Sequence, residues 1–500
     1  MNIAQLAVKG LESGERVSIV FEGRDYTNVQ MDQAACRLGN ALSALGVEPG
    51  DRVIMQMPNR PEVLQAFQAI WKIGAIAVPI NFQVGAEEIA YIYADSGAKI
   101  VITASEFMEK VRTARAKAPN IEEVIVIGDV PFPDALSFGA LLKNRSDTLD
   151  LYPTADDDVA ALVYTSGTTG RPKGVMQTHY GLYFTATNVQ ATSGYPPETV
   201  TIAMLPLCHS YGIGLMNTAL LRPRGKTVVL RGFDLKALFS SIEKYKVNSV
   251  AAVPTMYIYM LNDPEADKYD LSSVKYYICG SAPLSLETWK RFKEKFGGEI
   301  TEGWGLTEAC ANNSLNPLNG LKKVGSIGKP IGEMLMKIVN EKGEDVAQGR
   351  EGEIVLRGPM VMKGYWGQPE ATAEVLRGGW LHTGDVGYRD EDGYFFITDR
   401  KKDIIIKGGE NISPRAVEEV LYAHPAVSEA AVIGIKDDVY GEDLKAFVVL
   451  KPGLTASPEE IIEHCRGRLK RFFVPREVVL LDTMPKSLVG KILKKELRKM

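Results

Sequence analysis

Cysteine is scarce in this 500-residue chain. Cys36, Cys208, Cys279, Cys310 and Cys465 lie scattered, with no CxxC pair and no metal-ligand spacing. That pattern argues against a disulfide framework and reads as reduced, buried thiols of a cytoplasmic protein. A charge surplus is missing too: Lys+Arg number 58 against Asp+Glu 62, a net charge of −4. The basic excess usual for nucleic-acid binders is absent, so no nucleic-acid partner is expected. A nucleotide or anionic cofactor needs only a local basic cluster and stays open. No apolar run reaches membrane-spanning length, and MNIAQLAVKGLESGERV has no apolar core, which argues against a secretory signal. Peripheral membrane contact and a homodimer stay open. Internal repeats and low-complexity segments are lacking. So are a Walker A loop, a GxSxG elbow and an HExxH helix, which disfavours P-loop, serine-hydrolase and zinc-hydrolase chemistry.

What is present is an ordinary globular composition, 45% hydrophobic and 24% charged, in a chain long enough for two to four domains. Strand and helix patterns alternate through the first 300 residues: Arg52–Met57, Pro61–Ile73, Ala75–Pro79, a helix from Gly85, and Lys99–Thr103. A second series runs through Thr227–Leu230, Leu235–Tyr245, Ser249–Val253, Lys275–Cys279 and Ser285–Phe296. Such interleaving predicts parallel sheets wrapped by helices, in two related αβα sub-domains. From about Lys322 to Arg400 the period falls to two, predicting a small antiparallel sheet or β-barrel with strands at Gly352–Arg357 and Tyr394–Thr398. Asp392-Gly393 marks a hairpin, and counting back from it sets Asp385 opposite residues 398–400, beside Arg400. The last hundred residues read as a small α+β domain ending in a basic helix. The expected division is 1–400 and 401–500, with Asp399-Arg400-Lys401-Lys402-Asp403 at the junction. A charged run is ordinarily solvated surface; its place at a junction suggests a hinge.

The strongest local signal is Tyr164-Thr165-Ser166-Gly167-Thr168-Thr169-Gly170-Arg171-Pro172-Lys173-Gly174, directly after an apolar strand. Its glycines free the backbone to curl around an anion, and its hydroxyls and cations supply donors for phosphate oxygens. A flexible polar surface loop has the same composition. The segment resembles the phosphate loop of the adenylate-forming superfamily of acyl-CoA synthetases, firefly-type luciferases and peptide-synthetase adenylation domains. Four further segments match that family in order: Glu302-Gly303-Trp304-Gly305-Leu306-Thr307-Glu308 (with Trp where Tyr is commoner), Trp380–Asp385, Asp399–Asp403 with Gly408-Gly409-Glu410-Asn411, and Pro485–Ile492.

The resemblance implies an acyl-CoA synthetase using ATP, Mg²⁺ and coenzyme A, with a mobile C-terminal domain. Thr165, Ser166, Gly167, Thr168, Thr169 and Lys173 would hold phosphates. Gly280, Ser281, Ala282 and Pro283 would wall the adenine, with Glu302, Gly303, Trp304 and Gly305 on its other side. Thr307 would serve the α-phosphate and Glu308 the Mg²⁺, which prefers carboxylate oxygen. Asp385 would accept from the ribose hydroxyls with Arg400 as charged donor. Lys491 would bridge substrate carboxylate and α-phosphate, supplying positive charge where two anions meet. His209, Tyr211, Val253 and Gly303 would line the acyl pocket; a carboxylic acid is already ionised at neutral pH, so His209 need not act as a base. Lys402 would be the hinge that swings Lys491 out and Gly408-Gly409 towards the thiol tunnel. Arg466, Arg468, Lys470 and Arg471 form a basic cluster that could meet coenzyme A, although such faces are usually only solvated. Each residue has a plain alternative: a lysine in a Lys-rich tail, a packing Trp, a surface ion pair, a structural His. The expected acid is a medium- or long-chain fatty acid. Alternatives are an aromatic acid of benzoate or coumarate type, loading of a carrier-protein thiol, or a non-catalytic adenylate sensor.

Overall fold

The apolar runs flanked by Gly and Asp turns form two mostly parallel sheets. The computed structural model describes residues 1–128, 130–165 and 171–500. One sheet has seven strands, in spatial order Leu136–Ser137, Glu123–Ile127, Ile100–Ala104, Arg52–Gln56, Ile76–Pro79, Val159–Thr165, Lys173–Thr178. All pair in parallel except the last, which turns back on Val159–Thr165. Consecutive residues Val53, Ile54 and Met55 are all buried, as a strand covered on both faces requires. The second sheet has nine strands, with Val17–Phe21, Lys226–Val229, Val200–Ala203, Ser249–Ala252, Tyr276–Cys279 and Ile300–Trp304 as its parallel centre. The predicted elements recur within a residue or two; Leu235–Tyr245 is a helix over the expected span, with the Asp234 side chain accepting from Ala237 N–H at its start.

The two-residue period becomes a five-stranded antiparallel sheet: Leu335–Val339, Gly352–Arg357, Trp380–Arg389 and Leu376–Arg377, with Phe395–Arg400 branching from Trp380–Arg389. The last segment is a separate layer. Glu410–Ile412, Ile405–Lys407, Gly441–Leu450, Val427–Asp437 and Glu477–Leu480 form its sheet, packed by helices Pro414–Tyr422 and Pro458–Arg466. The basic C-terminal helix shrinks to Lys494–Leu497. Apolar clusters of the body reach Phe395 and Ile397, and those of the last segment begin at Ile405. No apolar cluster spans that gap among the described residues.

Candidate active site

Strand pairing builds the first corner of the site. Asp385 and Arg400 are direct partners in the hairpin formed by Trp380–Arg389 and Phe395–Arg400. Arg400 Nε lies 2.8 Å from Asp385 Oδ1, and Trp304 Nε1–H donates to Asp385 Oδ2 at 2.9 Å. Asp385 is buried, a position a carboxylate tolerates only when paired. Its charge holds the Arg400 guanidinium above the ordinary range. Each carboxylate oxygen keeps one lone pair for a further donor. The indole N–H contact, which pattern reading did not foresee, fixes the Trp304 ring beside this pair.

Trp304 ends the strand Ile300–Trp304 and opens a tightly pinned loop. Asn313 accepts from Leu306 N–H and donates to the Ala309 carbonyl, while Cys310 and Ala311 sit at φ of 52° and 79°. Non-glycine residues there store backbone strain. A Cβ on Gly305 would fall 1.2 Å from the Ala311 carbonyl oxygen, so only glycine fits. Thr307 begins a short 3₁₀ turn and is held by Gln177 Nε2, which donates to its carbonyl and to Ser210 Oγ. Glu302, in the middle of the strand, is buried and accepts from Gly325 N–H at 2.8 Å. Burial pushes its carboxyl up to about 7. Opposite this loop, Gly280, Ser281, Ala282 and Pro283 leave the strand Tyr276–Cys279, with Ser281 at φ 70°.

The feet of the phosphate loop are fixed by a hairpin. Thr165 pairs with Lys173 and Tyr164 with Gly174, so the strand runs two residues past the apolar stretch that announces it. Ser166, Gly167, Thr168 and Thr169 lie outside the described residues. Below the feet, Tyr164 O–H donates to Asp95 Oδ2 at 2.6 Å, and Trp366 Nε1–H donates to the Asp95 carbonyl. Residues 363–366 run along Lys173–Thr178 through the Met176–Gly364 and Trp366–Gly174 backbone bonds. That places Tyr365 where its O–H donates to Glu308 Oε1 at 3.0 Å and its ring lies 4.8 Å from Lys173 Nζ. Tyr365, Asn313 and Gln177 leave no sequence signal, because their bonds to Glu308, to the Leu306 and Ala309 backbone, and to Thr307 and Ser210 follow no period or motif spacing. Glu308 keeps its second oxygen for a ligand, which suits an ion bound largely through phosphates. Among the described residues no cluster of three or more His, Cys, Asp or Glu could hold a metal by itself.

Lys491 reaches this corner from the last segment. Its loop is a tight turn, with Gly490 at φ 78° and Ser487 N–H donating to the Lys491 carbonyl. Thr255 Oγ1–H donates to the Gly490 carbonyl at 3.0 Å, and a Cβ on Gly490 would meet Val253 Cγ2 at 3.1 Å. Burial and the Arg400 guanidinium pull the Lys491 ammonium down to about 8, with the Asp385 carboxylate acting against them. The His209 imidazole is pulled down to about 4 by burial and by the Lys491 charge. Its Nδ1 accepts from Tyr211 N–H and caps the helix Ser210–Leu220, so it is neutral and committed near pH 7. Tyr211 packs against Gly280, where a Cβ would lie 3.3 Å from its ring, and its buried Oη has no partner among the described residues. Gly303 has no room for a side chain against Leu315 and Ser314.

Other expected residues stand apart. Gly408 and Gly409, at φ of 60° and 85°, form the two-residue turn between Ile405–Lys407 and Glu410–Ile412, with Gly408 packed on Phe472 and Tyr440 rather than on the Asp385 corner. Lys402 lies in the turn after Arg400, inside the gap between apolar clusters. Arg466 is paired with Glu463 on an exposed helix face.

The AMP-binding enzyme family matches residues 7–366, and its C-terminal domain matches residues 416–491. The chain belongs to the AMP-binding enzyme family. It is 39% identical over 485 residues to a feruloyl-CoA synthase of Amycolatopsis sp, covering 95% of this chain and 94% of that one. It is 37% identical over 514 residues to a long-chain-fatty-acid–CoA ligase of Bacillus subtilis (strain 168), covering 97% and 91%. The crystal structure of the anthranilate CoA ligase AuaEII with anthranoyl-AMP superposes with a TM-score of 0.95 at 30% identity, covering 100% of this chain and 97% of that one. ATP-bound MatB from Rhodopseudomonas palustris gives 0.92 at 30% identity (100% and 99% covered), and apo MatB 0.81 at 30% (100% and 98%). The protein is therefore an AMP-forming acid–thiol ligase that uses ATP, Mg²⁺ and coenzyme A to make an acyl-CoA.

Proposed function

We propose that the acid is a hydroxylated aromatic acid of the hydroxycinnamate class, in place of the fatty acid expected from sequence. The observation that carries this is the buried Tyr211 Oη, without a partner among the described residues, on the residue we assign to the acyl pocket. A saturated chain would leave it unpaired, at a cost of ~1–3 kcal/mol, whereas a ring hydroxyl or methoxyl pairs with it. Asn312 Nδ2, which also lacks a partner among the described residues, stands beside Gly214 one turn along the same helix. The 39% identity to a feruloyl-CoA synthase supports the reading. The test is kcat/KM for ferulate, cinnamate, octanoate and palmitate with the parent enzyme and Tyr211→Phe. Ferulate should be preferred, and the substitution should cost it ~10-fold, the loss of about one hydrogen bond, while sparing octanoate. Preference for palmitate together with indifference to Tyr211→Phe would sink the proposal.

In this reading the body domain spans 1–400 and the mobile domain 401–500. Asp385 accepts from the ribose hydroxyls, Arg400 adds a charged donor, and Gly280–Pro283 with Trp304 enclose the adenine. Lys173 and Thr307 face the phosphates. Glu308 holds Mg²⁺, which neutralises phosphate charge when bound. Lys491 joins the acid's carboxylate to the α-phosphate and stabilises the charge that builds up there. Its removal by rotation about Lys402 clears the site for the thiol, with Gly408-Gly409 moving in. The higher match to MatB with ATP than without it supports an arrangement poised for adenylation.

A further inference from the structure

A cavity lies against the helix that carries Tyr211, on the face opposite that residue. Helices Gln5–Leu11, Asn28–Ala44, Pro61–Lys72 and Ser210–Leu220 close around it with strands Val17–Phe21 and Lys226–Val229. About 90 Å³ is open to the centre of a water molecule, room for a small organic molecule and well above what one water needs. Its walls are chiefly apolar, with Phe67, Trp71, Ile213 and Met216 among them. Three of its lining residues, on a loop and two helices, each carry a buried polar atom without a partner among the described residues: Arg16 Nε, Gln68 Oε1 and Asn217 Nδ2. Asn217 is 97% buried, with 3% relative exposure, and unpaired polar groups in such surroundings call for a ligand. Asp32 also lines the cavity but is committed to Lys72, with Nζ 2.9 Å from Oδ1. Arg16, whose terminal nitrogens donate to the Gly10 and Arg222 carbonyls, has no acidic partner among the described residues.

We infer that this cavity binds a monocarboxylic acid of about benzoate size, its carboxylate meeting Arg16 Nε and Asn217 Nδ2 and its ring lying on Phe67, Trp71 and Met216. One uncompensated cation, two free donors and an apolar floor select an anion with a compact apolar body. The site is separate from the Lys491 corner and shares with it only the Ser210–Leu220 helix. An acid here presses on Ile213 and Asn217, within two turns of Tyr211.

The five tryptophans make the test direct, since Trp71 lines this cavity and Trp304 stands at Asp385. The full chain carrying 5-fluorotryptophan is titrated with benzoate and followed by ¹⁹F NMR, with the Trp71 resonance assigned through Trp71→Phe. The Trp71 resonance should shift saturably with a midpoint different from that of Trp304. Asn217→Leu and Gln68→Leu should each weaken the Trp71 response, Asn217→Leu by at least ~10-fold, while Trp304 responds as before. Gln68→Leu guards against a folding defect peculiar to the first variant. A Trp71 resonance unmoved by 10 mM benzoate (roughly the weak end of useful affinities), one that tracks Trp304 at the same midpoint, or one unaltered by both variants overturns the inference.

Discussion

The ribose corner and the Lys491 loop meet at one place but are held in opposite ways. Asp385, Arg400 and Trp304 belong to sheets of the body, and the apolar cluster beneath them runs on through Phe395 and Ile397. Lys491 belongs to a segment whose apolar clusters begin at Ile405. Single polar contacts hold that segment to the body: Thr255 to the Gly490 carbonyl, Asn262 to Ser428, Leu286 N–H to Glu419, and Lys486 to Tyr259. Hydrogen bonds of this kind contribute ~1 kcal/mol each and exchange readily for water, whereas a shared core does not. The difference teaches how one site can serve two half-reactions. In the proposed reading, the corner that grips the nucleotide is built to persist, and the charge that drives adenylation is built to leave.

Removing the movable charge should give the largest effect. Lys491→Ala should lower acid-dependent pyrophosphate release by at least ~10²-fold, the scale of one preorganised charge donor. Thioester formation from supplied acyl-AMP should continue, because Lys491 has no task there. Equal loss in both assays would erase the contrast between corner and loop. Stiffening the gap comes next. Lys402→Pro fixes φ in the turn after Arg400 and should slow thioester formation ~10-fold, a barrier change of ~1.4 kcal/mol, with adenylation largely retained. Equal losses would count against a hinge at that residue. The fixed corner is probed more gently by Trp304→Phe, which removes the 2.9 Å bond to Asp385 but keeps an aromatic face. KM for ATP should rise ~3- to 10-fold with kcat little changed, a loss of ~0.7–1.4 kcal/mol that matches one ordinary hydrogen bond. An unaltered KM would show that the indole N–H is idle.

The sequence reveals these two regions unequally. The Asp385–Arg400 pairing follows from Asp392-Gly393 and the two-residue period, and the observed register sets the two directly opposite. Parallel strands such as Arg52–Gln56 are legible because burial on both faces demands an unbroken apolar run. Tyr365 and Gln177 were not legible, since a tyrosine bonded to Glu308 and a glutamine bridging Thr307 to Ser210 leave no period or spacing behind. The orphaned Tyr211 hydroxyl is invisible for the same reason: whether a buried group lacks a partner depends on every neighbour at once. That is why the fold and the ligase chemistry are legible in the sequence, while the proposed choice of acid rests on one unpaired oxygen.

The smallest effect comes from titrating the movable charge in place. The Lys491 ammonium is brought down to about 8 by burial and by Arg400, so it is charged below that pH and loses its proton above it. Only the charged form stabilises the meeting of carboxylate and phosphate, so the adenylation rate should be flat near pH 7. It should fall to about half at pH 8 and then about tenfold per unit as the proton is lost. His209, at about 4, stays neutral across this range and adds no limb. Lys491→Arg keeps its charge at every accessible pH and should abolish the alkaline fall even if its plateau is lower. Thioester formation from supplied acyl-AMP should show no such fall, because in the proposed rotation the lysine has left, and a rising thiolate fraction favours attack. An alkaline limb at the same pH in both half-reactions would place its source in the fixed corner, and the division of labour between the two regions would have to be redrawn.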